Sequence, residues 1–183
     1  MTSYCTKDMA DSFRTVRKNT ILVAQDIPED KYDYRAAEGV MSVAEMLAHL
    51  ASSTYWAEQL HFAEQKREVA FEDFARYMGR VAAMEKELTT KPQIVDALKT
   101  QGEHFAHFLN ALTDEQLAEH VSFPAPVQPS QKTRLEMLLG VKEHEMHHRA
   151  KLMLLQRLIG MVPHLTRRRQ ERQSQAVAGA TRG

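Results

Sequence analysis

Apolar side chains recur every three or four residues along most of this chain, and nowhere do they alternate singly as a half-buried strand requires. That period commits the chain to helices that each bury one face. Met9, Phe13, Val16, Thr20 and Val23 predict an amphipathic helix over about 7–25, ended by Pro28. After a connector over 27–41, Ser42 and Glu45 form a capping box that opens a second helix, reaching about Gln65. Residues 71–88 look helical but are interrupted by Gly79, and read as a short helix plus connector. Pro92 sits in the first turn of a third main helix carrying Ile94, Val95, Leu98, Phe105, Phe108, Leu109 and Leu112. Residues 113–132 read as a loop, with Pro124, Pro126 and Pro129 keeping much of it extended. Thr133 and Glu136 make another capping box, and the last main helix runs to Leu158, stopped by Gly160 and Pro163.

Four long amphipathic helices without strands predict an all-α fold, an antiparallel four-helix bundle with room for one long link, occupying residues 1–163. At 183 residues the chain is long enough to bury a core without staples. Cys5 is the sole cysteine, so an internal disulfide is excluded and a reducing, cytoplasmic setting fits. Basic and acidic residues balance at 24 each, which gives no bulk field toward nucleic acid or a membrane surface. The charged first 18 residues lack the apolar centre of a signal peptide, and no run approaches the ~20 apolar residues of a membrane span. The balance is uneven at the end. Residues 167–183 hold five Arg and one Glu, with almost no large apolar side chain. Residues 164–183 therefore read as a basic, disordered tail, and without aromatic residues between the arginines nucleic-acid binding is not expected.

Of nine histidines, His144 and His148 carry the strongest signal. They stand one turn apart in the stripe Val141, His144, His148, Leu152, Leu155, Ile159, where a bundle core would ordinarily place Leu. An imidazole costs free energy to bury unless its nitrogens are satisfied, and one divalent metal ion can satisfy two at this spacing. The string His144-Glu145-Met146-His147-His148 also matches the H-E-x-x-H pattern of zinc proteases. That chemistry needs a downstream ligand, and Lys151 and Leu154 stand where the extended pattern wants Gly and His. A third donor is available upstream instead, at His49 on the second helix, in the row Met46, His49, Ser53, Trp56, Leu60. Three histidines would leave coordination positions open, as in catalytic rather than structural sites, and the 121–132 loop could cover the opening. Glu145, or another carboxylate such as Glu45, is the candidate for moving protons. His61, His104, His107, His120 and His164 read as surface or boundary residues. A di-iron bundle is disfavoured, since no Glu-x-x-His ends at His49.

The stretches Ser42-Val-Ala-Glu-Met-Leu-Ala-His49 and His144-Glu-Met-His-His148-Arg, with the connector Ile27 to Arg35, resemble the DinB-like (damage-inducible) superfamily over roughly residues 7–162. The resemblance implies a DinB/YfiT-like four-helix bundle with His49, His144 and His148 as ligands of a divalent ion, zinc or nickel, and a homodimer. It also implies one of two chemistries on a small-molecule substrate: hydrolysis through an activated water, or transfer of a low-molecular-weight thiol. A non-catalytic, metal-binding stress-response protein and a plain metal-free bundle are the competing readings. The chain departs from the family pattern at Ala150 and Lys151, where Gly and Gln are usual.

Overall fold

Polar contacts between the long helices set their directions. In the computed structural model, which describes residues 4–180, helix α1 spans Thr6–Asp26 and the last main helix, α7, spans Arg134–Leu158. Ser12 meets Lys142, Arg17 meets Glu145 and Asp26 meets Gln156, so these two run parallel. Helix α5 (Lys91–Ala111) is antiparallel to α1: Arg14 pairs with Glu103, while Lys91 donates to the carbonyl oxygens of Gln25 and Ile27. Helix α2 (Val43–Ser52) runs alongside, packed against α5 and α7.

The second helix foreseen over 42–65 is built in sections. Its capping box forms as expected, Ser42 Oγ accepting from Glu45 N–H and the Glu45 carboxylate accepting from Ser42 N–H. The helix then breaks at Ser53, resumes as α3 (Tyr55–Glu58) and closes in a π turn over Gln59–Ala63. Residues 71–88, expected as a short helix plus connector, form one 17-residue helix, α4 (Phe71–Glu87), against α2 and α3. Gly79 does not break it because the residue lies on the exposed face, where it disturbs no packing. Helix α4 is the long link of the bundle, carrying the chain from the end of α3 back to the start of α5.

The 113–132 segment departs in detail from the loop expected there. It contains a short helix, α6 (Asp114–Ala118), and a strand, β1 (His120–Ser122), paired antiparallel with β2 (Gln131–Thr133). Three-residue strands are too short to leave an alternating pattern in the sequence. The basic tail, read as disordered, is helical from His164 to Ala180 (α8), with Arg167 bound to Asp26. The exposure expected from composition is found over residues 168–176 but not at His164, which is buried. Arg, Gln and Ala favour helix without needing a core. Residues 181–183 of that tail, and residues 1–3, lie outside the described residues. Among the described residues no helix is long and apolar enough to cross a membrane.

The core has three apolar clusters: a small one around Leu60, Tyr77 and Val121, and two larger ones, around Val23, Leu47, Leu98 and Leu152 and around Phe13, Phe105, Leu109 and Leu138. Between the two larger ones lies a buried polar layer. Arg17, 3% exposed, donates to the Glu145 carboxylate and to the carbonyl oxygens of Leu98 and Leu50, so one guanidinium touches α7, α5 and α2 from α1. Gly102 makes room for it: a Cβ there would lie 2.6 Å from Arg17 Cγ.

Candidate metal centre

Helix α2 presents His49 toward α7, and α7 presents His144 and His148 one turn apart toward α2. The three rings form a near-equilateral set, with centroids 4.9, 4.9 and 4.5 Å apart. One ring nitrogen from each lies within 4.8 Å of the others, and all three side chains are half-buried. No other group of metal-ligating side chains of this kind occurs among the described residues. The trio foreseen from sequence is thus brought together across two helices.

The protonation state suits a cation. Burial, followed by the charge of the neighbouring histidines, pushes the pKa of both His144 and His148 down to about 4. Both rings are therefore neutral at pH 7 and keep a lone pair for coordination. His49 is held from behind. Its Nδ1 lies 2.7 Å from Glu85 Oε1 and donates a hydrogen bond to that carboxylate, which turns Nε2 toward His144 Nε2 at 3.1 Å. Two imidazole nitrogens at that separation, with His148 Nδ1 buried and unpartnered, fit a shared cation better than a set of hydrogen bonds. The residues present fit a divalent ion.

The sequence pattern of the DinB superfamily matches residues 12–152, three quarters of the chain and all three histidines. The chain belongs to the DinB superfamily. It is 27% identical over 148 residues to YjoA of Bacillus subtilis strain 168, a protein described as uncharacterized, covering 81% of this chain and 86% of that one. The crystal structure of YjoA, described as a DinB-like protein, superposes with a TM-score of 0.62 at 24% identity over 84% of this chain and 93% of its own. A second B. subtilis member, YfiT, superposes with a TM-score of 0.64 at 15% identity, over 88% and 91% of the two chains. YfiT is described as a probable metal-dependent hydrolase with an unusual four-helix bundle topology. At such identities the structural matches establish the fold alone.

Within this DinB-family fold, Glu145 does not join the histidines. It is 1% exposed and bound to Arg17, with Nη2 to Oε2 at 2.9 Å, on the side of α7 that faces α1. One residue of helix rotates a side chain by about 100°, which carries Glu145 from the metal face into the polar layer. The residue foreseen for proton transfer lies instead in a buried ion pair, away from the trio. Glu45 is likewise occupied, by Arg35 and by its own cap. Sequence reasoning missed Glu85, because it lies on the helix read as uncommitted and 36 residues from its partner. It also misplaced His61. That side chain is buried, with Nδ1 accepting from Arg134 Nη1, and its pKa falls to about 3 through burial and then the Arg134 charge. His164 is buried too, while His147 lies exposed beside His148. His104 pairs with Glu58 at 3.4 Å and forms no second metal group.

Proposed function

We propose that this DinB-family protein is a metal-dependent enzyme acting on a small molecule, with hydrolysis as the primary reaction. The observation that carries the reading is the trio of half-buried imidazoles, two of them kept neutral by burial, backed by one carboxylate. Three neutral donors leave the charge of a divalent ion undiminished and leave coordination positions open. When bound, zinc or nickel would supply Lewis acidity to a substrate carbonyl and to the nucleophile beside it.

The chain's own residues do the rest. His49, His144 and His148 hold the ion, and Glu85 fixes the His49 tautomer and raises the basicity of its free nitrogen. With Glu145 and Glu45 engaged elsewhere, Glu85 and His147 are the remaining side chains at the trio that can accept a proton. Lys151, on the next turn of α7, bears a charge felt at both His144 and His148 and adds to the positive field that would orient an anionic substrate group. Thiol transfer is the second chemistry compatible with the same donor set.

The test loads the protein with zinc, nickel or cobalt and assays ester and amide hydrolysis alongside thiol conjugation. We expect metal-dependent turnover that is at least about 100-fold lower in His148→Ala. Metal uptake with no turnover above that variant would leave a non-catalytic metal-binding protein. The homodimer implied by the family is a further proposal, checked by sedimentation velocity.

A further inference from the structure

One turn along α7 from His144, at Gly140, begins a pocket of about 620 Å³ that none of the three histidines lines. Its walls are Trp56 and Leu60 from α3 and the π turn, Phe74 from α4, Phe123 and Val127 from the hairpin loop, and Met137 from α7. That volume lies within the range of small-molecule sites, and the lining is predominantly apolar with Gln128, Lys132 and Glu136 as polar members. The pocket continues the metal face. On α7, Met137, Gly140, His144 and His148 follow one another at helical spacing, which puts Gly140 about 6 Å along the axis from His144. On the facing side, Trp56 and Leu60 follow His49 in the chain beyond the break at Ser53, on α3 and the π turn.

Gly140 gives an independent indication of use. It sits inside a 25-residue helix, where Gly costs about 1 kcal/mol relative to Ala. Neither a left-handed backbone nor a close approach requires it, since no atom lies within 4 Å of where its Cβ would be. What the missing side chain leaves is open space in the pocket wall, one turn from His144. The walls are also held in place. Arg134 donates to Glu119, His61 and the carbonyl oxygens of Gln65 and Lys66, and Val69 N–H donates to the Ser122 carbonyl oxygen. These bonds tie the hairpin to the link between α3 and α4, so the pocket is preformed.

We infer that this pocket receives the apolar arm of the substrate whose polar, reacting group is held at the three histidines. The inference rests on the metal reading above and adds a substrate class: small molecules with a metal-binding or hydrolysable head and an aromatic or branched aliphatic tail. Its apolar lining, one turn along α7 from the trio, fits such a molecule better than a wholly polar one.

The experiment titrates cobalt-loaded, full-length protein with acetohydroxamate, hexanohydroxamate and 2-naphthohydroxamate, reading the visible absorption of the ion. Affinity is expected to rise about three- to fourfold per added methylene, the fold-change of burying one such group. Gly140→Leu fills the gap in the wall with a better helix former, so its thermal midpoint is expected to be no lower than wild type. In that variant the gain from the hexyl tail falls at least tenfold, and Val127→Asp on the opposite wall flattens the series in the same way. A flat series in the wild type, with acetohydroxamate still perturbing the cobalt spectrum, overturns the pocket and leaves the metal site standing. Tail-dependent binding undiminished in Gly140→Leu overturns it as well. Absence of any cobalt spectrum overturns the metal reading itself. A flat series together with dimerisation that Phe74→Glu abolishes assigns the pocket to a second copy of the chain.

Discussion

His144 and Glu145 are neighbours on one helix and belong to opposite parts of the molecule. His144 turns to the half-buried face shared with α2, where its nitrogen meets those of His49 and His148. Glu145 turns to the sealed interior, where Arg17 and two backbone carbonyl oxygens complete a polar layer. Both clusters set polar groups where a bundle would ordinarily place Leu, but their solutions differ. Arg17 joins four helices through protein groups, while one Glu145 oxygen stays buried without a protein partner. The histidines also leave a buried nitrogen unpartnered, but unlike the ion pair they are only half-buried and remain reachable from solvent. The difference separates a polar cluster that organises the bundle from one arranged to receive something.

Removing one partner of the closed cluster should have the largest effect. Glu145→Ala strands a buried guanidinium, and we expect a loss of about 3–5 kcal/mol in urea unfolding, with metal uptake per folded chain unchanged. A variant that keeps its stability but loses metal or turnover would move Glu145 back to the reactive site. Glu85→Gln should do the reverse, weakening metal binding about 10–100-fold in competition titrations while leaving the unfolding midpoint of the metal-free protein near wild type. Gly102→Ala sharpens the closed side of the comparison. Arg17 Cγ is too confined to yield, so overpacking should cost about 1–3 kcal/mol.

Per pH unit, a smaller effect separates the two kinds of buried histidine. His61 takes its proton near pH 6.5 in the unfolded chain and only near 3 in the folded one. The unfolded state therefore binds more protons throughout that window, and folding is opposed increasingly as pH falls through it. Unfolding at a series of pH values should lose about 1.4 kcal/mol per pH unit from His61 below 6.5, and His61→Phe should reduce that slope whether or not metal is present. His144 and His148 add the same sign between 6.5 and about 4, but their share should respond to metal loading. A slope unchanged in His61→Phe would contradict the buried, neutral assignment.

Much of this arrangement was legible in the residues, because local spacing carries it. The i,i+4 pair in an otherwise apolar stripe, the two caps at Ser42 and Thr133, and the proline and glycine stops each depend on neighbours within one or two turns. What escaped depends on contacts made across the fold. Glu145 follows His144 in a string that matches a protease pattern, and its partner Arg17 lies 128 residues away. Glu85 lies on a helix whose only visible irregularity, Gly79, faces outward. His61 resembled any boundary histidine until Arg134, the first residue of α7, closed over it. The tail shows the converse, for composition foresaw the exposure of residues 168–176 without foreseeing that exposed residues would still be helical.

The central claim is that His49, His144 and His148 together hold one ion. The direct measurement is elemental analysis of the full-length protein after loading with zinc or nickel and removal of free metal, set beside His144→Ala prepared in the same way. The account predicts about one ion per chain in the wild type and loss of that ion in the variant, with both proteins folded. Less than about one ion per several chains in the wild type, or an equal content in the variant, would contradict it.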